Sequence, residues 1–450
     1  MRPRVPLAIV VALLVLPTAS LAAETSVVRV SGPSPFPLGD CRPLDEPFTG
    51  DGRGAETDPS IAINPTNPEN IVAAWPQDSA YGFVAASSFD GGTSWMQTVV
   101  PRLTTCTGGS EDHMLHARLS FGGDGRLYLS GETLDGFFPD PRSGDAHIPV
   151  VTSEDGGLTW SDPVRVDDLP VLNGFDRIAA EPDVPGAAVV VWHTPEGAAT
   201  SYLSRTTDGG RTWTKHELPN PHPELQPFQS VLAAPDGALY VFYADQTALA
   251  TVGLIAAVGG VPLNFGTNLF VTRSDDKGVT WSSPSLVVSG VPAEWVGTAA
   301  GPEGSVYVST WRDGADGREL VVLRSEDRGT TWSQPTVIAT NVLAPFPLLA
   351  AQPDGTLGIS YNQATPEGTS VHFARSDDQG STWTTEVVAG PFAPGAFGFY
   401  QETSASREGF ASIFIRGGPD TDGPTDVYVA LIPDKCRGGG RLCHGPMRSH

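Results

Sequence analysis

Of 450 residues only 27 are Lys or Arg, against 51 Asp or Glu, and the formal net charge is −24. So anionic a surface repels nucleic acid and acidic membranes, which sets both aside as partners. Charged residues of all kinds make up just 17% of the chain. No stretch sustains an apolar rhythm of one residue in every 3.6, so long amphipathic helices are not expected. No apolar run is long enough for a comfortable membrane span: Val5 to Leu16 is too short, and "TVGLIAAVGGVPL" at 251–263 is short and broken by glycines. A phosphate-binding P-loop, a dinucleotide fingerprint and a GxSxG nucleophile turn are all missing.

The first run reads as an export signal. Arg2 and Arg4 precede it and small residues from Ala19 to Ala23 follow it, so cleavage is expected near Ala22 or Ala23. Residues 1–23 are then a signal peptide, 24–434 the folded domain and 435–450 a tail, and the mature protein is expected to be secreted, extracellular or periplasmic, with no membrane contact after cleavage. Export permits disulfides for the four cysteines. Cys436 and Cys443 are close enough to bridge locally, which leaves Cys41 for Cys106; a zinc site using His444 is the alternative.

What the chain has in abundance is turns. Its 51 Gly and 41 Pro accompany short apolar runs rich in Val, Ile, Tyr and Phe, the composition of an all-β protein. One turn recurs: "SEDGGLTW" at 153–160, "SDDKGVTW" at 274–281, "SEDRGTTW" at 325–332 and "SDDQGSTW" at 376–383, with looser copies at 88–95 and 206–213. In each, the Asp carboxylate can accept backbone N–H bonds across the turn, the Gly supplies a left-handed residue, and the Trp buries a large apolar plate. The copies lie roughly 50–70 residues apart, the period of a four-stranded propeller blade with some long loops. Two short strands around a tight turn precede each copy, as in "SVLAAPDGALYVFY" at 230–243. That pattern occurs a seventh time, at 404–417 and 426–432, without the turn motif or a fourth strand. The missing strand is available as "TSVVRVSG" at 25–32, and pairing the two ends leaves no bare sheet edge. The fold expected is therefore a seven-bladed β-propeller, with six blades as the alternative.

SxDxGxTW is the Asp box, or BNR repeat, and the chain resembles the secreted propellers grouped with sialidases over nearly its whole mature length. The resemblance implies a sialidase-like protein on extracellular glycans, in one form an exo-acting glycoside hydrolase and in the other a non-catalytic propeller that binds glycan or protein. An enzyme of that kind needs arginines converging on a substrate carboxylate, a Tyr nucleophile activated by a Glu, and an Asp acid–base group. Arginines beside or inside the Asp boxes face the wrong way, and elimination leaves Arg118, Arg177, Arg312 and Arg416 as substrate-binding candidates. Arg118 and Arg177 stand where other blades carry aliphatics such as Val231 and Leu348, which is costly unless they are paired or face a wet cavity. The opposing expectation makes them structural bridges, Arg177 to Asp176 or Glu181 and Arg118 to Glu111 or Asp112. Tyr400 and Glu402 are the candidate nucleophile and base, and Asp112 the candidate acid–base group, with Glu56, Asp58 and His113 enriching the same region. The FRIP-type motif of sialidases is absent. The long inserts 134–147 and 247–265 fall on the face opposite the Asp boxes. No cofactor is expected; the one hint of Ca²⁺ is Asp420, Asp422 and Asp426 around a Gly. A monomer is expected.

Overall fold

In the computed structural model the described residues are 24–36, 54–78, 80–134, 146–168, 176–193, 201–219, 229–245, 267–291, 296–315, 317–343, 348–392, 397–418, 421 and 423–434. These form seven antiparallel sheets, six of four strands and one of five. Within blade 1 the order from the axis outward is Ser60–Ile63, Ile71–Gln77, Gly82–Ser88 and Met96–Val99. Blades 2 to 6 repeat it, with inner strands at His113–Phe121, Arg177–Ala180, Gln229–Ala233, Gly297–Ala300 and Leu349–Ala351. Each inner strand packs against both neighbouring inner strands, and that of blade 7, Phe397–Ser406, meets that of blade 1. The ring is closed, and the protein is a seven-bladed β-propeller.

Closure uses the strand anticipated from the sequence. Ser26–Arg29 is the outer strand of blade 7 and runs antiparallel to Asp426–Pro433, with Ser26 opposite Leu431 and Arg29 opposite Tyr428. Side chains reinforce the seam: Asp426 accepts from Arg29 Nη1 and from Ser31 Oγ, both at 3.1 Å, while the Val427 N–H donates to Ser31 Oγ at 2.9 Å. Removing residues 24–32 is expected to bare the edge of Asp426–Pro433 and to cause aggregation or loss of cooperative unfolding. A truncated protein that melts like its parent would contradict this closure.

Seven apolar cores lie between successive blades. Trp95 packs in the core between blades 7 and 1, Trp160 between 1 and 2, Trp213 between 2 and 3, and Trp281, Trp332 and Trp383 in the next three. Blade 7 has no Asp box, and the core it shares with blade 6 is filled by Phe373, Phe410 and Phe414, with Phe392 and Tyr428 against them. The turns behave alike. In the copy around Asp327, the Thr331 N–H and Ser325 Oγ each donate to Oδ1 at 2.8 Å and Thr331 Oγ1 donates to Oδ2 at 2.6 Å. These donors, led by the Thr331 hydroxyl, hold the exposed carboxyl down at about 2. The boxes staple the turn between third and fourth strands, so the opposite face carries the N-terminal ends of the inner strands.

Candidate functional site

That opposite face is where ordinary strand geometry breaks down. In the inner strand of blade 2, Leu115 pairs with Glu132 but Arg118 pairs with Ser130, so this strand holds one residue more than its partner. The surplus is taken up in a bulge at His116, whose φ of 54° is left-handed. Facing the bulge is Gly131, where a Cβ would come within 2.6 Å of the Leu115 carbonyl; only glycine leaves room for the bulged chain. The bulge brings the His116 ring between two carboxylates: Nε2 lies 3.7 Å from Asp58 Oδ2 and Nδ1 lies 3.5 Å from Glu132 Oε2. Asp58, just ahead of Ser60–Ile63, is also left-handed at φ 42°. Left-handed non-glycine residues cost about 1 kcal/mol or more each and gather where function demands a fixed geometry.

Around this trio stand charges from blades 2, 3 and 7. Arg118 is 6% exposed; its Nη1 donates to the Ala117 carbonyl at 2.8 Å, and its buried Nε has no hydrogen-bond partner. Arg177 opens the inner strand of blade 3 and donates from Nη1 to the Asp176 carbonyl at 3.2 Å. Asp176 is fully buried and accepts the Ser130 hydroxyl. Glu402, on the inner strand of blade 7, accepts the Ile61 N–H at 3.3 Å. Arg118 turns to a main-chain carbonyl rather than to Glu111 or Asp112, and Glu181 is held by Arg205 at 2.6 Å and Lys277 at 3.1 Å.

Burial governs the protonation of the cluster. Glu132 is 1% exposed, makes no well-formed hydrogen bond through either oxygen, and is pushed up to about 8 by burial against the pull of Arg118. Asp176 rises to about 6, through burial and then the charge of Glu132, with the Ser130 hydroxyl opposing. Burial also raises Asp58 and Glu402, each eased downward by Arg118 and Arg177. His116 is driven the other way, to about 4, by burial that outweighs the attraction of Asp58. At neutral pH the site thus holds a protonated carboxyl, a neutral imidazole and two guanidiniums. It can donate a proton to an oxygen while its arginines meet an anionic group.

Of the residues singled out from the sequence, Arg118, Arg177, Glu402 and Asp58 are brought to this cluster. Arg312 is not: its Nε is taken by its cross-strand neighbour Glu319 at 2.8 Å. Arg416 stacks 4.7 Å from the Phe392 ring centroid and 5.6 Å from that of Tyr428. Asp112 sits half-buried immediately ahead of His113–Phe121. Tyr400 lies in Phe397–Ser406, with its side chain outside the described residues. The pairing of this strand shifts register between Phe397 and Gln401. Outside the described residues also fall the insert 247–265, most of 134–147, Asp420, Asp422, and Cys41, Cys436 and Cys443 with their pairings. His116 and Glu132 were missed; the signal available was "HMLHARLSF", one residue longer than its partner requires.

Fold and turn chemistry together define an Asp-box propeller. The chain matches the family described as BNR repeat-like domain over residues 70–294, half its length, and it belongs to that family. A sialidase from Bacteroides fragilis (strain YCH46) is 27% identical over 205 residues, covering 40% of this chain and 36% of that protein. A xyloglucanase from Paenibacillus sp is 23% identical over 297 residues, covering 61% of this chain and 26% of that protein. The alignments thus span about a third and about a quarter of those relatives. Among solved structures, an ulvan lyase described as a new family of polysaccharide lyase superposes with a TM-score of 0.51 at 10% identity, over 84% of this chain and 95% of that one. At such identity the likeness is one of fold alone.

Proposed function

We propose that the protein is a secreted, exo-acting glycoside hydrolase of extracellular glycans whose terminal sugar carries a carboxylate. The observation that carries this reading is a buried Glu132, raised to about 8 by that burial, beside Arg118 and Arg177 on adjacent inner strands. The arginines orient the sugar carboxylate, and Glu132 gives its proton to the glycosidic oxygen as the C–O bond breaks. Glu402, with Tyr400 two residues before it, completes the proposal as base and nucleophile. A donor buried as deeply as Glu132 suits a chain end better than the middle of a polymer. The sialidase and xyloglucanase relatives point to glycans, and export rests on residues 1–23. Among the described residues no helix is long and apolar enough to cross a membrane. The chemistry needs no metal or cofactor, and a monomer suffices for it.

Aryl glycosides of a sialic acid, a uronic acid and neutral sugars test the proposal with the purified mature protein. Release from a carboxylated glycoside, faster at pH 5–6 than at pH 8, is expected, because protonating the cluster removes the negative charge that competes with the substrate for Arg118 and Arg177. Binding of carboxylated sugars without release would favour the non-catalytic glycan-binding propeller. Hydrolysis of neutral glycosides only would remove the role given to the arginines.

A further inference from the structure

His116 belongs to no motif, yet the chain distorts to present it. One surplus residue, a left-handed backbone at His116, another at Asp58 and a glycine across the bulge converge on a single imidazole. Its two nitrogens face two different carboxylates, at 3.7 Å and 3.5 Å. Both separations are longer than a hydrogen bond and must shorten when a ligand arrives, as contacts of unliganded sites commonly do. A neutral imidazole has one N–H and one bare nitrogen, so it cannot treat both carboxyls alike.

We propose that His116 is the positioning residue that gives the two carboxyls opposite roles, donating from Nε2 to Asp58 and accepting at Nδ1 from the protonated Glu132. The ring's N–H keeps Asp58 an ionised acceptor against the upward push of burial, His116 being its largest lowering influence, and leaves Glu132 a proton donor, although both are buried within reach of the same ring. The role of Glu132 as acid rests on the hydrolase reading above; the tautomer does not. The other ionisable groups acting on the imidazole are Arg118 on its own strand and Asp176 and Arg177 at the head of blade 3. Each arginine favours the neutral ring, and Asp176 opposes them. Burial, the largest influence, keeps His116 uncharged down to about pH 4.

The test reads the imidazole directly. In ¹⁵N-labelled full-length protein at pH 7, the His116 resonances, assigned among the nine histidines by their loss in His116→Gln, should show a bare Nδ1 and a protonated Nε2. Should His116→Gln fail to fold, His116→Asn serves for the assignment. A ring charged at pH 7, or one protonated at Nδ1, overturns the proposal whether or not the protein hydrolyses anything. The second reading is kinetic. His116→Gln keeps the bulk and a hydrogen-bonding head but not the fixed pair of donor and acceptor. It is expected to lower kcat at least tenfold at pH 7, to leave KM within threefold, and to move the alkaline fall of the pH profile by a unit or more. A purely structural histidine would lower stability and leave that limb in place, which also refutes the assignment. If the wild-type protein hydrolyses no glycoside, the hydrolase reading fails and the nitrogen spectrum alone decides this one.

Discussion

Arg118→Met is expected to cost about 2–5 kcal/mol of affinity for a carboxylated sugar, a loss of roughly 30-fold to a few thousandfold. The guanidinium is buried, closes no ion pair with a carboxylate among the described residues, and spends one nitrogen on the Ala117 carbonyl of its own strand. Methionine fills much of the same space without stranding a partner charge. Removing Arg118 also takes a downward influence away from Asp58, Glu132, Asp176 and Glu402. The variant should therefore fold well at pH 6, where those groups can take up protons. A ligand titration and a thermal melt at that pH check both statements. Retained affinity together with a stability loss on the order of 3–5 kcal/mol would make Arg118 a structural residue and weaken the hydrolase reading.

Glu132→Gln should separate catalysis from stability. Without a transferable proton, kcat is expected to fall about 10²–10⁴-fold while sugar binding persists. The sign of the stability effect follows from the upward shift from 4.5 to about 8. Below about pH 4.5 the carboxyl is protonated in folded and unfolded chains alike, and its contribution is fully present. Between 4.5 and 8 the unfolded chain releases the proton and the folded one holds it, so folding weakens as pH rises through that window. Glutamine does not titrate. The variant should match the parent near pH 4 and exceed it at pH 8 by about 4 kcal/mol. Glu56, also raised to about 8, and Asp176, raised to about 6, act in the same direction in the parent. Melting curves across pH 4–9 decide the point: equal slopes for parent and variant would mean that Glu132 is not the buried acid.

The blades were legible in the sequence because each Asp box carries its own instructions. Ser325, Asp327, Gly329 and Thr331 bond among themselves, so a short window suffices to recognise the turn, and its spacing gives the repeat. The closing strand was legible by subtraction, from a seventh unit short of one strand. Arg118 and Arg177 stood out because aligned repeats put aliphatics in their place. His116 and Glu132 were not visible in this way. Their encounter depends on a bulge, a property of how two strands pair and of neither strand alone. Arg312 shows the converse failure: a solitary cation in the sequence met Glu319 only once the hairpin of blade 5 had set its register.

The seam between Ser26–Arg29 and Asp426–Pro433 has a consequence in time. Arg29 and Asp426 are 397 residues apart, and translation proceeds at roughly 5–20 residues per second. A strand made among the first must therefore stay unpaired for tens of seconds before its partner exists. Meanwhile six blades can assemble one upon another, each through contacts local to a hairpin and its neighbour. The final step joins the two most distant parts of the chain and carries the largest loop-closure entropy. Until then, the nearly finished ring presents an open edge at blade 7 and a loose strand of matching register. In a crowded compartment such a pair can meet within one molecule or between two. Ser26, Val27 and Arg29 remain exposed even in the finished ring, so it is the tether, rather than burial of this strand, that favours the partner within the same molecule.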